Sequence, residues 1–213
     1  MIIYNPLDGI CLQQSIKSQP KHLFLMTRLA PKVPSMVRRI RKSISSCCNH
    51  YDYKVIDAQT HVTGRDYLLK IWKMIAAAPL SVGVLHEDIP DTTKANIFYE
   101  LGVAQAMGKE TLVIKSPRAE MPSDFARSEH ISFDENFEKN FHSYLDSIHV
   151  QANYYETVAD QLDKNPILAL DYLKRAYLIK GDISLKKKAS IVAQDAGIEG
   201  RAGNSIENLA TEF

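Results

Sequence analysis

The chain has 213 residues, of which 45% are apolar and 24% are charged, and its formal net charge is +1. This composition is ordinary for a soluble globular protein, and so small a net charge gives no electrostatic case for nucleic acid or a membrane surface as a partner. No apolar run approaches the roughly 20 residues of a membrane span, and the first residues lack the basic start of a signal peptide. The three cysteines include an adjacent pair, Cys47 and Cys48, and suit free thiols rather than metal ligands. We therefore expect a cytoplasmic protein that needs no metal or cofactor.

Buried strands and amphipathic helices alternate up to about residue 135. Short apolar runs predict strands at residues 22–26, 53–57, 80–85, 111–114 and 130–133. Helical periodicity predicts helices at 35–49, at 65–78 and in the segment that ends at Gly108. This alternation is typical of right-handed βαβ units and predicts an α/β fold with one parallel sheet.

From about residue 136 the pattern changes to helices only. An amphipathic helical face is expected over 137–148, with a helical continuation over 154–162, and two further helices are expected at 166–177 and 184–195. We divide the chain into an N-terminal arm or hairpin at 1–20, an α/β domain at 21–149, a helical module at 150–198 and a flexible tail at 199–213. The helical module is the expected site of self-association or of contact with a protein partner.

Polar residues lie at the carboxyl end of each of the first three predicted strands. Ligands of open α/β sheets bind beyond the carboxyl ends of the strands. Those ends carry Thr27 and Arg28 after the first strand, Asp57 as the last residue of the second, and a loop with Asp88 and Asp91 after the third. These five residues are candidate substrate contacts.

One carboxylate is out of place in the third predicted helix. Residues 96–109, NIFYELGVAQAMGK, form an apolar helix with a glycine stop, and Glu100 lies in their middle. Such a carboxylate either reaches the surface or is partly desolvated, and desolvation would raise its pKa as in many active sites. Gly102, two residues further on, is expected to let the helix approach the sheet closely.

The helix face that carries Glu100 also has groups suited to a sugar phosphate. Asn96 and Thr93 share that face, which begins at a helix N-terminus, a favourable place for phosphate. A carboxylate there suits chemistry at a sugar anomeric carbon, where an oxocarbenium-like transition state needs a nearby anion or a carboxylate nucleophile. The alternative is a structural Glu100 paired with an arginine such as Arg28.

The same helix and a later segment carry a family resemblance. Residues 96–109 match the pattern Asn-x-x-Tyr-Glu-Leu-Gly-x-Ala-x-Ala-x-Gly-Lys, and residues 121–127, MPSDFAR, are similar to an Ile-Pro-x-Asp-Leu-Arg segment. Both patterns are typical of the nucleoside 2-deoxyribosyltransferase-like and TIR-like group of α/β domains. Residues 22–146 as a whole resemble these domains. The resemblance implies a flavodoxin-like sheet of about five strands with helices on both faces.

The resemblance also implies a reaction at C1′ of a ribosyl or deoxyribosyl group. Glu100 stands at the position of the nucleophile in the transferases and of the catalytic residue that cleaves the nicotinamide–ribose bond of NAD in TIR-type enzymes. Bacterial members that carry an extra module resemble anti-phage defence effectors that deplete nucleotides. The chain departs from the pattern just before the third strand, where transferases have an acid that helps to hold the base and residues 78–81 read APLS. Asp88 or Asp91 could take the place of the family's loop acid.

Three functions follow, in descending order. The first is an N-ribosyl hydrolase that cleaves NAD, as substrate rather than cofactor, or a related nucleotide. In it Glu100 is the nucleophile or oxocarbenium stabiliser, Asn96 orients the ribose hydroxyls, Tyr99 lines the pocket or packs beneath it, and Arg28 meets phosphate. The second is a catalytically degenerate domain that binds a nucleotide or signal molecule, or that acts as a scaffold through the helical module. The third is nucleoside 2-deoxyribosyl transfer.

Overall fold

The computed structural model describes residues 16–29, 33–58, 67–125 and 129–195. Residues 1–15 of the predicted arm and the whole predicted tail, 199–213, lie outside these ranges. The strands are β1 (His22–Met26), β2 (Lys54–Ile56), β3 (Leu80–Leu85), β4 (Glu110–Lys115) and β5 (His130–Ser132). The helices are α1 (Ser35–His50), α2 (Tyr67–Ala77), α3 (Asp91–Ala106), α4 (Phe137–Asp160), α5 (Pro166–Lys180) and α6 (Ser184–Asp195). The predicted alternation of strands and helices is confirmed.

All five strands are parallel and lie in the order β2-β1-β3-β4-β5. Leu23 of β1 lies opposite Val55 of β2 on one side and Leu80 of β3 on the other. This order is that of flavodoxin-like sheets, in which the chain winds first towards one edge and then towards the other. The predicted flavodoxin-like α/β fold is therefore confirmed.

Helices cover both faces of the sheet. Leu23 and Leu25 of β1 pack with α1 and α4, whereas Phe24 and Met26 pack with α2 and α3. Successive side chains of a strand point to opposite faces, so a strand covered on both sides needs apolar residues throughout. This explains why the strands read as continuous apolar runs in the sequence.

A glycine brings α3 close to the sheet, but it is not the one expected. A Cβ added at Gly83 of β3 would lie 2.8 Å from Leu101 Cδ1 and 2.9 Å from Ile97 Cγ2. A Cβ added at Gly102 would meet nothing within 4 Å. The expectation for Gly102 is therefore wrong, because the glycine that permits the close contact lies in the strand β3 and not in the helix α3.

The helix α4 is continuous across the predicted boundary between residues 149 and 150. Its first half packs on the sheet through residues such as Phe141 and Ile148, and its second half packs with α5 and α6 through Ala159. The amphipathic face of 137–148 and its expected helical continuation over 154–162 thus form one helix, and the predicted boundary falls inside it. Asn165 caps α5 by accepting a hydrogen bond from the Leu168 N–H at 3.2 Å, as the Asn-Pro start of this helix suggests.

The helix α5 contacts the sheet at the amino-terminal ends of its strands. Arg175 donates from Nη1 to the Gly108 carbonyl at 3.0 Å, in the turn between α3 and β4. Tyr155 of α4 donates to Glu110 Oε1 at 2.7 Å, at the first residue of β4. The helical segment therefore contacts the sheet at the amino-terminal ends of its strands, whereas ligands of this fold bind at the carboxyl-terminal ends.

A partner role for residues 150–198 stays a prediction. Large apolar side chains are exposed there, including Val150, Tyr154, Ile183 and Ile191. In the described part of the chain, none of the helices combines the length and the apolar character that a membrane crossing requires.

Candidate active site

The sheet order reverses between β1 and β3, which lie side by side although β2 separates them in the chain. The helix that follows β1 covers one face of the sheet and the helix that follows β3 covers the other. The carboxyl ends of these two strands are therefore the place where flavodoxin-like folds bind ligands. Thr27 and Arg28 follow β1 at this position, and His86 follows β3.

Two of these residues have buried polar atoms to which no described residue is hydrogen-bonded. Thr27 is only 8% exposed, and its Oγ1 has no partner among the described residues. The Nε of Arg28 is likewise buried and unpartnered within the described ranges. Buried polar atoms are nearly always hydrogen-bonded, so these exceptions need an explanation. A hydroxyl and a guanidinium N–H at one strand end are suited to an anionic group such as phosphate.

Glu100 lies in the middle of α3, on the side that faces α2. The residues of α3 that pack on the sheet are Ile97, Leu101 and Ala104. The 3.6-residue period places Glu100 at one edge of this buried stripe and Phe98 at the other. Because Phe98 packs on Phe125, with ring centroids 4.7 Å apart, Glu100 faces the opposite flank, where α2 lies against α3.

Burial raises the pKa of Glu100 to about 7 from the ordinary value of 4.5. Within the described ranges, no hydrogen bond or ion pair joins its carboxylate to another residue, so no cation offsets the desolvation. An ion pair between Glu100 and Arg28, the arginine named as its possible structural partner, is thus not formed. A carboxylate that titrates near neutral pH is ready to act in both of its protonation states, as catalytic carboxylates do.

Tyr67 is a site residue that the sequence pattern does not reveal. It begins α2, which packs against α3, and its side chain is 49% exposed. Burial, and after it the charge of Glu100, raises the pKa of the Tyr67 phenol. The phenol therefore lies within electrostatic reach of the Glu100 carboxylate. Only the packing of α2 on α3 brings the two residues together.

The other predicted contacts on α3 lie at or near its surface. Asn96 is exposed and Thr93 partly exposed, one and about two turns before Glu100. Tyr99 is 48% exposed and lies on the side of α3 that faces away from the sheet, so it does not pack beneath the site. A role for these three residues in substrate binding stays a prediction.

Two of the predicted aspartates are engaged within the chain. Arg41 donates from Nη2 to Asp57 Oδ2, and Lys94 donates from Nζ to Asp91 Oδ1 at 3.1 Å. Asp91 does not cap α3, because Pro90 occupies the cap position and no side chain accepts from the first turn. A substrate that used either carboxylate would have to share or displace a cation.

His86 is buried directly after the carboxyl end of β3, although the sequence pattern leaves it as an ordinary loop residue. It is 5% exposed, and its Nδ1 accepts the Asp88 N–H at 3.1 Å, which places the proton of the neutral ring on Nε2. Nε2 lies 3.7 Å from Glu87 Oε2, which also accepts a hydrogen bond from Ser116 Oγ. The Ser116 hydrogen bond lowers the pKa of Glu87, so this carboxylate stays ionised. The polar residues directly after a buried strand were a sequence signal for this position. Burial of the His86 ring could not be predicted from them, because it depends on packing.

A cavity of about 470 Å³ lies between α1 and α4. It is lined by Ser46, Cys47, His50, Tyr51, Glu138 and His142. Because α1 and α4 cover the sheet face opposite to α3, this cavity is separate from Glu100. In the ranges that the structure describes, no group of three or more histidines, cysteines or acids is arranged to hold a metal ion.

No protein-family model matches the chain, and no curated protein matches it. A solved structure of a 2-deoxyribosyltransferase from the psychrotolerant bacterium Bacillus psychrosaccharolyticus matches it with a TM-score of 0.43 and 13% sequence identity. The match covers 57% of this chain and 90% of that one.

Proposed function

We propose that this protein cleaves the N-glycosidic bond between a base and ribose, with NAD or a related nucleotide as substrate and Glu100 as the catalytic residue. The observation that carries the proposal is a partly buried carboxylate without a cationic partner in the described ranges, with a pKa of about 7. Such a carboxylate stabilises an oxocarbenium-like transition state strongly and can attack C1′ as a nucleophile. The family resemblance of residues 96–109 extends the proposal to a role as a bacterial anti-phage effector that depletes its substrate.

The reaction proceeds in two steps at C1′. A carboxylate oxygen of Glu100 bonds to C1′ while the C1′–N bond breaks, and the electron pair of that bond leaves with the base. Water then attacks C1′, the glycosyl ester breaks, and the carboxylate is restored while a proton passes to solvent. If the C1′–N bond breaks before a bond to Glu100 forms, the same carboxylate stabilises the oxocarbenium ion electrostatically.

The leaving group favours NAD as the substrate. Residues 78–81, APLS, contain no acid, but they are buried at the amino end of β3, away from the carboxyl ends of the strands, so the missing acid does not bear on the proposed site. The base that leaves NAD is a pyridinium, which takes up the electron pair and departs as neutral nicotinamide without a proton donor. Thr27 Oγ1 and Arg28 Nε, which are buried and have no hydrogen-bond partner among the described residues, supply the polar atoms for a phosphate of the substrate.

The test is a product assay on the purified full chain. NAD, ATP and 2′-deoxyadenosine are incubated separately, each with and without a second free base, and products are identified by chromatography and mass. We expect nicotinamide and ADP-ribose from NAD, and no new nucleoside when a base is added. A new nucleoside would show that the protein transfers the sugar to the added base instead of hydrolysing the bond. Calorimetric binding of NAD without any product would contradict the proposal and select a binding domain.

A further inference from the structure

The apolar stripe of α2 ends in an aromatic residue, Tyr67, at the first residue of the helix. Ile71 and Ile75 lie four residues apart on the sheet-facing side of α2 and are 2% and 0% exposed. Tyr67 is four residues before Ile71, so it occupies the same stripe one turn closer to the carboxyl edge of the sheet. There burial ends, since Tyr67 is 49% exposed. An aromatic ring thus projects from the buried stripe at the edge where this fold binds ligands.

Tyr67 and Glu100 approach this place from two different helices. Glu100 occupies the flank of α3 that faces α2, and Tyr67 begins α2 on the flank that faces the sheet. The charge of Glu100 contributes to the raised pKa of the Tyr67 phenol, which is consistent with this approach. The phenol is neutral near pH 7, as tyrosine ordinarily is, so it adds no negative charge beside the carboxylate.

We infer that Tyr67 is the surface against which the aromatic base of the substrate stacks, so that C1′ is positioned at Glu100. This inference rests on the proposed cleavage of a base–ribose bond and adds the residue that selects the base. Every nucleobase, and nicotinamide also, presents a flat π-face, so stacking on tyrosine favours ribosides with a planar aromatic base over the bare sugar phosphate. Tyr67 then makes the base, rather than the ribose alone, a requirement for binding.

The test measures binding in a chain that cannot turn over its ligand. Calorimetry on Glu100→Gln with NAD, AMP and ribose 5-phosphate is compared with the same measurements after a second substitution at position 67. We expect Tyr67→Ala to weaken binding of NAD and AMP about tenfold, the effect of losing one base–aromatic stack, and to leave ribose 5-phosphate within about twofold. Tyr67→Phe keeps the ring and should bind NAD and AMP as Tyr67 does. Tyr67→Leu keeps apolar bulk without a ring and should resemble Tyr67→Ala.

Control variants and the product assay separate the possible failures. Tyr154→Ala removes another exposed tyrosine, on α4, and should change no affinity. Equal loss for NAD and ribose 5-phosphate, full affinity in Tyr67→Ala or Tyr67→Leu, or no binding of NAD and AMP before the second substitution would overturn the inference. Tyr67-dependent binding without base release by the unsubstituted chain would instead refute the proposed cleavage and leave the stacking role intact.

Discussion

Glu100→Gln tests whether the fold holds this carboxylate at a cost in free energy. Glutamine has nearly the same shape and cannot ionise, so the pH dependence of its effect isolates the charge. The pKa of Glu100 is about 7 in the folded protein, against an ordinary value of 4.5 for the unfolded chain. At roughly 1.4 kcal/mol per pH unit, this difference corresponds to about 3 kcal/mol.

The direction of the effect follows from which state binds the proton more tightly. The folded protein keeps the Glu100 proton to higher pH than the unfolded chain, so ionisation weakens the fold. The contribution of protonated Glu100 to stability is fully present below pH 4.5 and is lost as the pH rises through about 7. Glutamine has no such loss. The free energy of unfolding of Glu100→Gln, minus that of the unsubstituted protein, should therefore grow by about 3 kcal/mol between pH 4.5 and pH 8.

The measurement is urea unfolding followed by far-ultraviolet circular dichroism at pH 4.5 to 9. Glu87→Gln is the matched control, because the Ser116 hydrogen bond lowers the pKa of Glu87 and its stability change falls at acid pH, below the range in which Glu100 titrates. Its difference from the unsubstituted protein should stay constant from pH 5 to 9. A constant difference for Glu100→Gln over the same range would refute the desolvation of Glu100.

Two further predictions concern packing around α3 and are tested by the same urea unfolding. Gly83→Ala should lower stability by about 1–3 kcal/mol, because its Cβ would lie 2.8 Å from a buried leucine carbon, whereas Gly102→Ala should raise it by about 0.5–1 kcal/mol. Equal effects of the two glycine substitutions would contradict the packing of α3 on β3. Arg175→Ala removes the donor to the Gly108 carbonyl and should lower stability by about 1–3 kcal/mol, with exposed Lys187→Ala as its control. An unchanged midpoint for Arg175→Ala would show that this hydrogen bond does not stabilise the packing of α5 on the sheet.

The α/β part of the fold could be predicted because its signals are local. Each strand is a short apolar run that packing on both faces requires, and each connecting helix shows its own buried stripe. The predicted boundary between residues 149 and 150, by contrast, falls inside α4. Its first half packs on the sheet and its second half on α5 and α6, so its apolar pattern changes within one helix. A change of packing partner resembles a boundary when only the sequence is read.

A site residue could be predicted where a charged side chain lies among apolar residues of the same segment. Glu100 is such a residue, since a carboxylate in an apolar helix is unusual whatever the fold. Tyr67 and His86 were not predictable, because their importance depends on which helix packs beside α3 and on the burial of a loop. The same holds for Gly83, since only the register of α3 on β3 shows which glycine the contact requires.

Release of nicotinamide from NAD by the unsubstituted protein and by Glu100→Gln, measured side by side at pH 8 by chromatography and mass, tests the role of Glu100 most directly. We expect the unsubstituted protein to release nicotinamide, with kcat/KM rising through about pH 7 because the attacking carboxylate must be ionised. Glu100→Gln should lose at least about a thousandfold in kcat while it remains folded. Equal turnover by folded Glu100→Gln would contradict the assignment of Glu100 as the catalytic residue.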